Sequence, residues 1–223
     1  MQVEWYGQST FRLAGESQTV VIDPFGDMSG AAAHGLKFEY PPIEGLAADL
    51  LLVTHEHGDH NAVEVVAGEP VTLRATAGTH ESPVGPVVGI ASEHDQAAGT
   101  ERGPNTIFVF DLDNIRVAHF GDLGQSELRD PQIAALQGID LLILPVGGGP
   151  TIGAEQAKAI VDELSPRWVV PMHYRTHRVN FLEPADPFLA LFSQVHTLGG
   201  PSFDTGDLPS NGDGPVAVHP AAP

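Results

Sequence analysis

The stretch that decides the fold is Thr54-His55-Glu56-His57-Gly58-Asp59-His60, "THEHGDH". It gathers three of the chain's eleven histidines into six positions. In an extended segment side chains alternate, so His55 and His57 project to one side, about 6.5 to 7 Å apart along the backbone, close enough to converge on one ion. Gly58 lets the chain bend. Asp59 and His60 follow at the bend, where they face a second ion beside the first, and a helix expected from Asn61 fixes that arrangement. One heptapeptide thus feeds two metals. A polar solvated loop would give the same composition without an apolar strand leading into it.

That strand is present. The run "ADLLLVTH" (48–55) is continuously apolar and ends abruptly in polar residues, as a buried strand does when it delivers a site at its carboxyl end. The pattern recurs in "DLLILPVGGG" (140–149) and "WVVPMHY" (168–174). Upstream, β-rich runs at Val3 to Tyr6, Thr10 to Leu13 and Thr19 to Ile22 are separated by Gly7-Gln8 and Gly15-Glu16-Ser17, which predicts an antiparallel meander. Residues 24–45 have no sustained period and many Gly and Pro, the signature of a long ordered loop, and such loops in compact domains are often functional. "NAVEVVAGE" (61–69) and "GAEQAKAIVDELS" (153–165) carry helical spacing, the second with Ala157, Ile160, Val161 and Leu164 on one stripe. "NTIFVFDLDNIRVAHFGD" (105–122) reads as a hairpin turning at Asp111 to Asn114. Each half therefore runs from a β meander through a strand and a helix to another strand.

The expected fold class is mixed α/β (α+β), a pseudo-duplicated layered fold formed by residues 1–200. Residues 201–223, dense in Gly, Pro, Ser and Asp, read as a partly ordered C-terminal extension.

Composition narrows the chemistry. With no cysteine, any transition metal must rest on imidazole and carboxylate. Ten basic against twenty-nine acidic residues give a net charge of -19, which repels a polyphosphate and argues against nucleic acid as a partner. No apolar run approaches the roughly 18 residues of a membrane span, and the N-terminus lacks a signal-like pattern. A soluble, cytoplasmic protein acting on a small molecule is the default, with homo-oligomerisation left open.

A zinc ion takes about four ligands, and a hydrolytic metal pair shares a bridging group, so the heptapeptide is half a site. Three further candidates follow apolar β-like runs: His94 in "ASEHD", Asp122 in "HFGDLG" and His173 in "PMHY". His94 is preferred to His80 because the better strand precedes it. Turn formation by Asp122 and core packing by His173 are the competing readings. His119 reads as packed or as orienting a ligand, Asp23 as ordering a turn, and Asn105 as structural. His34, Arg175 and His177 are candidates for lining the substrate pocket.

"THEHGDH" resembles the His-x-His-x-Asp-His signature of the metallo-β-lactamase fold superfamily of metal-dependent hydrolases. The later His, Asp and His follow in that family's order, and the likeness covers residues 1 to about 198. "VEWYGQSTFRL" and "VVIDPFG" look like the subgroup containing L-ascorbate-6-phosphate lactonase, although Gly7-Gln8 stands where relatives often have Gly-His. The resemblance implies that His55, His57 and His94 bind one metal and that Asp59, His60 and His173 bind the other, with Asp122 bridging. It implies a four-layer αβ/βα sandwich and two divalent ions, zinc foremost and manganese or iron as alternatives. It further implies a metal-held hydroxide, oriented by Asp59, that cleaves a small ester or lactone. A phosphodiesterase or nuclease of the same fold, and a metal-binding or sensor module without turnover, are the alternative functions.

Overall fold

The computed structural model describes residues 1–210, 212 and 214–223. The chain opens with the meander β1 (Gln2–Gly7), β2 (Thr10–Ala14) and β3 (Thr19–Ile22), in register Trp5↔Phe11 and Phe11↔Ile22. The long loop follows, carrying one 3-10 turn at Ser29–His34. Then come β4 (Leu46–Ala47), β5 (Leu50–Val53), a 3-10 turn at Val63–Val65, β6 (Val66–Ala67) and β7 (Val71–Arg74). The second half contributes β8 (Gly78–Ser82), β9 (Gly85–Glu93), β10 (Pro104–Leu112), β11 (Ile115–His119), α1 (Asp130–Ala135), β12 (Leu141–Pro145), α2 (Ala154–Leu164) and β13 (Trp168–Met172). The chain finishes with α3 (Asp186–Leu189), β14 (Val195–Thr197), β15 (Ser202–Asp204) and β16 (Val216–His219).

These strands form a six-stranded sheet, β15-β1-β2-β3-β5-β7, and an eight-stranded sheet, β14-β16-β13-β12-β11-β10-β9-β8. Alternation along the strands explains the layers. On β3 and β5 of the first sheet, Val20, Ile22, Leu50 and Leu52 enter the large core shared with the second sheet, while Val21 and Leu51 join a smaller outer cluster with Leu46 and Val66. On α2 the buried residues are Ala157, Ile160, Val161 and Leu164, the stripe expected from periodicity, and all four belong to the main core. β10 turns into β11 through Asp113 and Asn114, both at positive φ (51° and 60°), which matches the twist that a two-residue hairpin loop requires.

Two expectations differ from what is observed. The helix expected over 61–69 is a single 3-10 turn, Val63–Val65. β-branched Val63, Val65 and Val66 resist a longer helix, Gly68 (φ 90°) ends the segment, and the Ala62 N–H is taken by the Pro24 carbonyl. The outer cluster of the first sheet is therefore completed by loop, 3-10 turn and the two-residue β4–β6 ribbon, whereas α2 belongs to the main core. Secondly, the segment from Pro201, expected as an extension, supplies strands to both sheets: β15 pairs with β1, and β16 inserts between β13 and β14. The apolar "VAV" of β16 is buried.

Strand direction positions the site. β3 and β5 run parallel, and β9, β11 and β13 share one direction in the second sheet. Their carboxyl ends carry Asp23, His55 to His60, His94, Asp122 and His173, so the topology brings residues more than a hundred positions apart to one edge. In sheets of this kind ligands bind outside the strands' carboxyl ends.

Candidate metal centre

Asp122 is the hub. Its Oδ2 lies 3.1 Å from His173 Nε2, 3.3 Å from both His60 Nε2 and His94 Nε2, and 3.9 Å from His55 Nε2. Around it, ligand atoms of His55, His57 and His94 fall within 4.8 Å of one another, as do those of Asp59, His60 and His173. A third group of this kind, Asp23 with His55 and His60, lies on the buried side.

The hydrogen bonds made by the other ring nitrogens fix which one faces the cluster. His94 Nδ1 lies 3.0 Å from the Pro150 carbonyl, which can only accept, so that nitrogen carries the proton. Thr54 Oγ1 donates its single proton to Asp23 Oδ2 (2.7 Å) and accepts from His55 Nδ1 (3.0 Å). His60 Nδ1 donates to the same Asp23 oxygen at 3.1 Å. In the neutral ring each Nε2 is thereby the nitrogen left with a lone pair, and His60, when cationic, has its second proton there for a metal to displace. The Nε2 atoms of His55 and His60 are buried and have no hydrogen-bond partner. Buried polar atoms are normally satisfied, and unpartnered imidazole nitrogens beside carboxylates fit a divalent cation.

Electrostatics leads to the same reading. Burial, followed by the neighbouring His60, pushes His55 down to about 3, and burial with nearby His94 lowers His57. Burial would lower His60 too, but the Asp122 and Asp59 carboxylates raise it well above the ordinary histidine value. Burial would likewise raise Asp59 and Asp122, yet the surrounding imidazoles hold both below the usual carboxylate range: His60 foremost for Asp59, and His173 with His60 for Asp122. Without a metal, cationic His60 is the main counterion to two carboxylates, the role that a bound cation fills.

Several residues support the cluster. Ser9 Oγ donates to Asp122 Oδ1 (3.2 Å), and Asn105 Oδ1 accepts from the Asp122 N–H (3.0 Å). Asn105 Nδ2 in turn donates to Ser92 Oγ and the Phe120 carbonyl. Gly121 sits at φ 53°, where a Cβ would come within 2.6 Å of Thr54 Oγ1, so only glycine lets β11 approach β5 closely enough to place Asp122. The Gln8 side chain donates to Asp59 Oδ2 (3.2 Å), while its carbonyl accepts from the His173 N–H and the Trp5 indole. Gln8, Asp23 and His173 all hold positive φ of 49°, strain of the sort that clusters at functional sites.

Among the residues singled out in the sequence, His55, His57, Asp59, His60, His94, Asp122 and His173 meet at this edge. His80 lies apart, near the Ala77 carbonyl and Thr76. His119 is buried and satisfied on both nitrogens, donating to the Ser9 carbonyl and accepting from the Gly121 N–H. His34, Arg175 and His177 are exposed and do not line the cavity over the cluster, because Arg175 turns its guanidinium to the Leu182 carbonyl and Glu183. That cavity, about 210 Å³, is walled by Met28, Leu36, Phe38 and Phe181 and also reached by Arg102. Sequence reasoning missed Ser9 and Thr54 because each acts through a partner distant along the chain, Asp122 and Asp23 respectively, and it passed over Arg102, whose place at the cavity depends on how the loop after His94 folds.

The Beta-lactamase superfamily domain family matches residues 2–173. A UPF0173 metal-dependent hydrolase of Thermococcus onnurineus is 33% identical over 79% of this chain and 85% of its own. Another from Pelotomaculum thermopropionicum is 31% identical over 83% and 90%. A crystal structure from Thermotoga maritima, described as a Zn-dependent hydrolase of the metallo-beta-lactamase superfamily, superposes with TM-score 0.78 at 29% identity, covering 99% of both chains. With its mixed α/β sheets and carboxyl-edge histidines, the chain belongs to the beta-lactamase superfamily and, within it, to the UPF0173 group of metal-dependent hydrolases.

Proposed function

We propose that this protein hydrolyses a small ester or lactone at a site built for two divalent metal ions, zinc foremost. The observation that carries the reading is the pair of buried, unpartnered Nε2 atoms on His55 and His60, next to the Asp122 carboxylate that faces four imidazoles. In this reading His55, His57 and His94 hold one ion, Asp59, His60 and His173 hold the other, and Asp122 serves both. The ions supply Lewis acidity and a water of lowered pKa.

The chain's own residues do the rest. Asp23 and Thr54 keep His55 and His60 in the tautomer whose Nε2 is a lone pair. Ser9 and Asn105 hold Asp122 from behind, leaving Oδ2 forward. Asp59, anchored by Gln8 and more open to solvent than the other carboxylates at the centre, is placed to accept a proton from the attacking water. Addition of that water to the acyl carbon and departure of the alkoxy oxygen with a proton yields an acid and an alcohol from an ester, or a single hydroxy acid from a lactone. The net charge of -19 favours a small substrate over a polyanion.

The deciding experiment measures metal content by elemental analysis and hydrolysis of a lactone, ester and phosphodiester panel before and after chelation. Activity lost on chelation and restored by zinc, and reduced in both Asp59→Asn and Asp122→Asn, is expected. Full activity in verified metal-free protein would overturn the reading.

A further inference from the structure

The cavity over the candidate centre is asymmetric. One wall is apolar, formed by Met28, Leu36, Phe38 and Phe181, with Ala31 among them. The lining also includes Arg102 and Pro150. Arg102 and Pro150 also border a second hollow, so Arg102 stands where two openings meet.

Arg102 is also unusual among the cations of this chain. Eight of the ten basic side chains lie within 4 Å of a carboxylate, and Arg178 donates to the Pro223 carbonyl. Among the described residues Arg102 alone has neither kind of partner. In a protein of net charge -19, with carboxylates plentiful, leaving the one cation at the mouth of the cleft unpaired is informative.

Its position is built. Asp95, directly after His94, accepts four backbone N–H groups: Ala97 and Gly99 on Oδ1, Glu101 and Arg102 on Oδ2, at 2.8 to 3.1 Å. The loop closes on itself through Gly103 N–H to the Gly99 carbonyl and His94 N–H to the Gly103 carbonyl. A single side chain therefore couples the backbone of Arg102 to the residue after His94. The backbone from which the Arg102 side chain springs is held beside the cluster, and the guanidinium, without a carboxylate or carbonyl partner, has its planar fork free to take an oxyanion.

Building on the hydrolase reading, we infer that the substrate joins an apolar body to an anionic group, the apolar part lying along Met28, Phe38 and Phe181 and the anion meeting Arg102. Arg102 is thus a specificity-determining residue, selecting anionic over neutral substrates of the same shape.

The test uses zinc-loaded full-length protein and calorimetric binding of two matched probes, 4-phenylbutyrate and 4-phenylbutanol. The wild type is expected to bind the acid about tenfold more tightly than the alcohol, the discrimination a well-placed charge-assisted contact gives. Arg102→Gln is expected to reduce that preference to within about threefold while leaving zinc content unchanged, Arg102→Lys to keep most of it, and Phe181→Ala to weaken both probes alike. An undiminished acid preference in Arg102→Gln would show that the metals alone take the carboxylate and would overturn the inference, as would a wild type with no preference. An acid preference dependent on Arg102 in a protein that hydrolyses no ester would leave this inference standing and reject the hydrolytic one.

Discussion

His60 donates through Nδ1 to Asp23 Oδ2 at 3.1 Å, and the same carboxylate takes the Thr54 N–H and hydroxyl at 2.7 Å each. Asp23 thus orients two imidazoles, His60 directly and His55 through Thr54. Asp23→Asn removes the charge and turns one acceptor into a donor. Metal affinity is expected to fall 10- to 100-fold, the range for partners of ligating histidines, as read by competition with a chromophoric chelator. Unchanged affinity would reduce Asp23 to a turn former.

Gln8 and Asp59 are linked at 3.2 Å across 51 residues of chain. If Gln8 positions the carboxylate that receives the proton, Gln8→Ala lowers kcat by roughly tenfold, a loss on the scale of one hydrogen bond to a charged group, with KM and metal content little changed. A rise in KM alone would place Gln8 in substrate binding.

Metal removal is expected to lower thermal stability as well as activity. A ligand at about 1,000 times its dissociation constant stabilises by about 4 kcal/mol, and for a chain this size each kcal/mol shifts Tm by about 2 to 4 °C. Chelation should therefore lower Tm by on the order of 10 °C, with zinc restoring it in differential scanning calorimetry. Identical melting curves would deny the cluster a bound ion.

Deletion of 201–223 is expected to abolish cooperative folding, measured by near-UV circular dichroism and chemical denaturation. The cut removes β16 from between β13 and β14 and exposes buried Val216, Ala217 and Val218, along with β1's pairing to β15. A truncated protein with native stability would restore the view of this segment as an appendage.

The three tyrosines make alkaline stability predictable. Burial, then the hydrogen bond to Glu4, raises Tyr6 to about 12, and burial raises Tyr40 and Tyr174. Folded phenols thus ionise at higher pH than unfolded ones, so their contribution is complete below about pH 10 and is lost as pH rises through about 12. Tyrosinate absorbance should appear together with unfolding, and Tyr6→Phe should flatten the decline. Titration of all three in folded protein near pH 10 would refute this.

The candidate ligands were readable because their signals are local. Period-two alternation aims His55 and His57 together, apolar runs announce β5, β12 and β13, and a histidine or aspartate after such a run lies at a carboxyl edge. The α2 stripe was legible for the same reason, since the periodicity of the apolar residues is itself the cause of their burial. The 61–69 segment misled because its valines satisfy helical spacing while disfavouring helical backbone, and only the Pro24 contact and the β4–β6 ribbon decide between them.

The sequence by itself determined the chemistry on offer: imidazole and carboxylate without thiol, a net negative charge, and candidate ligands at strand ends. The tertiary structure decided which nitrogen of each histidine faces the cluster, because that depends on acceptors such as Asp23 and Pro150 brought in from elsewhere in the chain. It also decided that Arg102 rather than Arg175 reaches the cavity. Two arginines look alike in a sequence; which one is neutralised by a neighbour and which is left facing the cleft is settled only when the loops are folded against each other.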